Sequence, residues 1–139
     1  MQNTSAPTDL AWLLHDLVGR VAGARHAVVL SADGLLVEHS PDLSEMDAEA
    51  LAASASALHG LARGTGQRFG GGGIRQTVIE MEHAFLFVTA ADDGACVALL
   101  GDESADVGQI AYEINLFAQR AGTAIASAPR SRLDPAATP

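Results

Sequence analysis

The sequence predicts an α/β domain of the α+β type: a five-stranded antiparallel sheet covered by helices on both faces, in the order α-β-β-α-β-β-β-α. Three observations point there. Helical apolar stripes stand at both ends of the chain, with an alanine-rich helical stretch between them. Short β-like runs fall between turn signals, first as a pair and then as a set of three. Within the last set, Phe85, Leu86, Phe87 and Val88 are apolar on both faces, so that part of the sheet is expected to be covered on both sides.

The first helix follows from Leu10, Leu13, Leu14, Leu17, Val18 and Val21, which recur at helical spacing over Asp9 to Gly23. Thr8 or Asp9 can cap its start and Gly23 can end it. Ala27 to Leu30 and Leu35 to Val37 are apolar runs flanking Ser31-Ala32-Asp33-Gly34, where Asp-Gly favours a turn with positive φ, giving a β-hairpin. A second helix opens at Pro41 to Ser44, with Asp42 or Ser44 as N-cap and Glu45, Asp47 and Glu49 placed favourably for the helix dipole. It is expected to run to about Arg63, with Leu51, Ala55, Leu58 and Ala62 as its stripe. So many alanines let its backbone approach a neighbour closely.

Gly64 to Gly73 holds six glycines in ten residues and reads as a flexible loop. Ile74 to Met81, Ala84 to Ala90 and Ala95 to Leu100 then form an antiparallel meander, broken at Glu82-His83 and Asp92-Asp93-Gly94. Arg75, Gln76, Thr77 and Glu80 make its first strand polar, as befits a sheet edge, and an exposed edge beside an alanine-rich helix is a natural place for pairing with a second copy. Val107, Ile110, Ala111, Ile114, Phe117, Ala118 and Ala121 mark the third helix, with Ser104 available as cap and Gly122 near its end. One domain over residues 9–124 is expected, between disordered ends at residues 1–8 and 125–139, the latter dominated by Pro, Ser, Ala and Arg without periodicity.

Composition excludes several kinds of chemistry. All eight basic residues are arginine, so no lysine is present for a Walker A loop, a Schiff base or a kinase-type ATP contact. A formal charge of −9 would repel a phosphate backbone or an anionic membrane surface, and nucleic acid is not an expected partner. The longest apolar stretches, such as Ala84 to Ala91, fall well short of the roughly 20 residues that cross a bilayer, and Met1 to Thr8 does not resemble a secretory signal. A cytoplasmic protein without membrane insertion is expected. Cys96 is the only cysteine and lies in an apolar run, so it reads as a core residue and not as a metal ligand.

The remaining candidate sites are weak. Gly70 to Gly73 is followed by Ile74-Arg75 where a phosphate loop would supply Lys and Ser/Thr. His15, His26, His39, His59 and His83 lack metal-ligand spacing, and Ser31 has no identifiable base. The carboxylate pairs Glu80/Glu82, Asp92-Asp93 and Asp102-Glu103 fall at turns or helix starts, where solvation and capping account for them. No catalytic residue, cofactor or metal is assigned. Arg63, Arg68 and Arg75 form the one local basic concentration; it either contacts an acidic partner, even lending an arginine to a GTPase, or merely complements a helix C-terminus.

The element order, the hairpin Ala27 to Val37, the alanine-rich second helix and the closing meander plus helix together resemble the roadblock/dynein light chain family. The resemblance covers Leu10 to Gly122 and is similar in detail to the bacterial conservon type. It implies first and third helices on one sheet face, the second on the other, and a homodimer formed through the second helix and the first meander strand. Those segments correspond here to Leu51, Ala55, Leu58 and Ala62, and to Arg75, Thr77 and Ile79, with Arg63 and Arg68 as candidate partner contacts. The resemblance further implies a non-enzymatic regulator or scaffold of a small Ras-like GTPase. Its signalling module includes a sensor-kinase-like membrane protein, through which partners could recruit it to the inner membrane face. The alternative is a small-molecule sensor domain, which would need a pocket between sheet and helix.

Overall fold

The computed structural model describes residues 9–91 and 94–126. Helix α1 spans Leu10–Arg20, and the strands of the hairpin are β1, Ala24–Leu30, and β2, Leu36–His39. Helix α2 spans Glu45–Arg68; the meander comprises β3, Gln76–Glu80, β4, Ala84–Ala90, and β5, Cys96–Asp102; α3 covers Val107–Ala126. The strands form one five-stranded antiparallel sheet in the order β2-β1-β5-β4-β3, so β3 is an edge, as its polar sequence predicts.

Period-two alternation in the central strands makes two cores. Ala27, Val29, Phe87, Val97 and Leu99 point to one face and pack with Leu13, Leu14 and Leu17 of α1 and Ile110, Ile114 and Phe117 of α3. Val28, Leu30, Leu86, Val88, Cys96 and Ala98 point to the other, beneath Ala48, Ala52 and Ala55 of α2. Alanine at those three positions lets α2 sit close to the sheet.

The expected turn and caps form with some changes. Gly34 has φ +86°, and Ser31 N–H and Leu35 O close the hairpin turn at 2.9 Å. Asp9 caps α1 through Ala11 N–H, and Ser44 caps α2 through Asp47 N–H. Helix α3 is capped by Asp106, whose carboxylate accepts from Gln109 N–H at 3.1 Å; Ser104, the expected cap, instead bonds Asp102 through both its amide and its hydroxyl. β1 begins at Ala24, ahead of the apolar run, because Ala24 finds a partner in Gly101.

The glycine-rich segment departs from expectation. Helix α2 does not stop near Arg63 but continues through Gly64 and Gly66 to Arg68, and Phe69 N–H still bonds Thr65 O at 3.0 Å. The chain then folds back, with Gly71 N–H donating to Gly66 O at 2.7 Å. The first half of the expected loop is therefore the last helical turn and a half. Helix α3 also runs through Gly122 to Ala126, two residues past the expected domain end at 124. The expectations for residues 1–8 and 127–139 fall outside the described residues.

Candidate protein-protein interface

A sheet with two edges exposes two rows of backbone donors and acceptors, and this protein treats them differently. At the β2 edge, Ser40 N–H bonds Ala27 O at 2.9 Å, so by alternation the His39 amide points away from β1. That outward N–H is taken by the Glu38 carboxylate at 3.2 Å. The β2 edge is thus blunted by its own side chain.

At the β3 edge, Met81 N–H donates to Ala84 O at 2.8 Å and Ala90 N–H to Arg75 O at 3.3 Å. With the register Thr77 to Val88 and Ile79 to Leu86, the odd-numbered residues bond β4 and the amides of Gln76, Val78 and Glu80 face outward. None of these three has a backbone partner among the described residues beyond the strand ladder itself. Val78 is 43% exposed. This edge is open.

Helix α2 presents an unequal pair of flanks beside it. On the Ser56 side the hairpin turn closes in, so that a Cβ on Gly34 would lie 2.6 Å from Ser56 Oγ. On the other side Leu51 and Leu58, together with Ile79 and Leu100, are only partly buried against the core under α2. Leu61 and Phe69 continue that flank and are 72% and 77% exposed. An open groove of about 410 Å³, lined by His26, Leu43, Asp47, Leu51, Ser54 and Leu100 among others, runs beneath its first half.

The sequence-derived interface residues therefore separate. Leu51, Leu58, Ala62, Thr77 and Ile79 are half-buried on the α2 face of the sheet, and Arg75 is exposed just before β3. Ala55 is different: it is fully buried against the chain's own sheet and has no surface to offer a partner. The stripe taken as one contact line is split between the protein's own core and its open flank. Leu61, Phe69 and Val78 were not singled out in the sequence, although large apolar residues at those positions were the available signal.

Arg63, Arg68 and Arg75 are exposed and have no ion pair among the described residues, whereas Arg20 and Arg25 are each held by carboxylates. They do not form one cluster, because Arg63 and Arg68 leave α2 in different directions, five residues apart on a helix of 3.6 residues per turn. Arg63 acts inward as well. Burial first, and then the Arg63 charge, hold the His59 imidazole below its ordinary pKa; burial raises the Cys96 thiol, with Arg63 opposing.

The other polar groups are structural. Asp102 accepts from Ser104, its amide and its hydroxyl, and from Arg25 at 3.1 Å, and the Ser104 bonds are the main reason its carboxyl titrates below its ordinary value. His83 lies 3.2 Å from Glu103 and 3.8 Å from Glu82 on an exposed turn. Among the described residues no group of three His, Cys, Asp or Glu side chains could hold a metal ion, and no helix is long and apolar enough to cross a membrane. The pair Asp92-Asp93 lies outside the described residues.

A sequence profile of the Roadblock/LC7 domain matches residues 10–101. The Roadblock/LC7 domain from Streptomyces avermitilis is 41% identical to this chain, over 79% of this chain and 92% of that one, with a TM-score of 0.75. An uncharacterized protein of Methanocaldococcus jannaschii is 34% identical over 93 residues, 67% of this chain and 77% of that protein. MglB of Myxococcus xanthus, at 13% identity, shares the fold with a TM-score of 0.76 over 91% of this chain and 93% of its own.

Proposed function

This chain belongs to the Roadblock/LC7 family, and from that premise we propose that it is a non-enzymatic, homodimeric regulator or scaffold that binds a small Ras-like GTPase. The observation that carries the reading is the open β3 edge beside the apolar flank of α2, in a molecule whose other edge is blunted. The outward strand amides are a ready template for a further strand, and Leu61 and Phe69 are apolar surface left in water; a second copy would engage both together. Leu51, Leu58, Ala62, Arg75, Thr77 and Ile79 would line or flank that contact, while Ala55 supports it from within.

The GTPase partner rests on the family resemblance. In this reading the protein acts in a bacterial conservon-type module, in the cytoplasm, and modulates GTP hydrolysis by positioning the GTPase's own groups. Arg63 and Arg68 are candidate contacts with that partner, and a sensor-kinase-like protein of the same module would bring the assembly to the membrane. Absent any built constellation of nucleophile, base and oxyanion donors among the described residues, regulation by contact suits the chain better than chemistry of its own. The test is co-elution with a small Ras-like GTPase from the same genome, loaded with GDP or with a GTP analogue. Failure to bind in both states would remove the GTPase from the account.

A further inference from the structure

Trp12, the only tryptophan of the chain, is 53% exposed on the face of the molecule turned away from α2. It shares one line of α1 with Asp9, Asp16 and Arg20, at helical spacings of three and four. Arg20 at the end of that line reaches Glu113 of α3 at 3.4 Å, so the line faces α3. The two helices run antiparallel, because α1 ends and α3 begins at the same end of the sheet, where Asp102 N–H donates to Gly23 O at 2.8 Å and Ala24 pairs with Gly101. Trp12 stands about 12 Å before Arg20 and is therefore level with Ala121, about 12 Å after Glu113. Its neighbours across the shoulder are Leu116 and Arg120, which follow Glu113 at i+3 and i+7 on the α1 side of α3. Leu116 is half-buried; Asp9 and Arg120 are exposed, and Arg120 has no ion pair among the described residues.

We propose that residues 127–139 of the same chain fold back over this shoulder, with Leu133 against Trp12 and Leu116. The place where the chain leaves α3 favours them. Ala126 ends the helix about 8 Å beyond the level of Ala121 and Trp12. Residues 127–132 span up to about 20 Å when extended, enough to bring Leu133 back to the indole. Leu133 is the one large apolar side chain of the segment, with Arg132 on one side of it in the sequence and Asp134 on the other. The shoulder is complementary, with the Asp9 carboxylate one turn before Trp12 and the Arg120 guanidinium across from it. A segment without helical or strand periodicity needs only one such anchor to be held. Covering the indole removes from water a large exposed ring, on a face that a dimer built on α2 and the β3 edge leaves open.

Trp12 reports on its own cover, since no second indole contributes to the fluorescence. In the full chain its emission should lie to the blue of a hydrated indole and be protected from acrylamide, equally at low and at high protein concentration. Leu133→Asp should shift the emission to the red and abolish the protection, while circular dichroism shows the fold intact. Arg120→Asp should weaken the protection, and the double variant Arg120→Asp/Asp134→Arg should restore it, a rescue that general loosening of α3 would not produce. An indole as open to acrylamide in the parent as in Leu133→Asp would overturn the proposal. Protection that grows with protein concentration and survives Leu133→Asp would overturn it as well, and would give the shoulder to a second copy instead.

Discussion

The carbonyl oxygen of Gly72 stands 2.5 Å from where a Cβ on Gly66 would be, so the returning chain lies against the last turn of α2 at a spot only glycine can occupy. Gly64, in the same helix, has open space around it. Two neighbouring glycines therefore have opposite roles. Gly66→Ala should destabilise by about 1–3 kcal/mol through forced displacement of backbone, and Gly64→Ala should stabilise by about 0.5–1 kcal/mol through helix propensity. Urea unfolding of both variants measures the contrast; equal effects would mean that the glycine segment does not pack as described.

The hydroxyl of Ser40 substitutes for a missing ladder bond. It accepts from Ala27 N–H at 3.1 Å, and Ser40 is fully buried. Ser40→Ala leaves that amide without an acceptor in the interior, at a cost of about 1–3 kcal/mol. Hydrogen exchange should show accelerated exchange at Ala27 along with the lowered unfolding midpoint.

His59 should make stability depend on pH. Its Nδ1 is shielded from solvent with no hydrogen-bond partner among the described residues, and burial, then Arg63, lowers its pKa from 6.5. The unfolded chain binds that proton more readily than the folded one, so the stability is present above pH 6.5 and is lost as pH falls below it. Asp102, also lowered in the fold, adds its loss only near and below its ordinary value of 3.8. Between pH 7 and 5.5 a His59→Gln variant should therefore show a flatter unfolding midpoint than the parent. An unchanged slope would place the proton elsewhere.

Strands, faces and most caps were legible because they are local. Leu10 to Leu17 announce α1 by spacing alone, Asp33-Gly34 announces its turn, and the polar β3 announces an edge. What escaped was set by distant partners. Gly64 and Gly66 read as helix breakers because nothing local reveals that Gly72 needs the space. Ser104 reads as a cap until Asp102 claims its hydroxyl. Ala55 and Leu58 share a helical stripe, yet the sheet beneath α2 buries one and leaves the other at the rim. That same burial makes Ala55→Arg a probe of folding and leaves Leu58→Asp as the probe of assembly.

In the proposed function, partner binding depends on a dimer built on the open β3 edge, and Val78→Pro separates that edge from the fold cleanly. The Val78 amide points outward, so proline there removes no bond to β4 yet blocks a neighbouring strand. Light scattering on the parent and on Val78→Pro, each with the Ras-like protein bound to a GTP analogue, is the most direct measurement. The expected result is a complex containing two copies of the parent chain, and a folded, monomeric variant that has lost it. A parent that elutes alone and monomeric beside the GTPase would contradict the assignment.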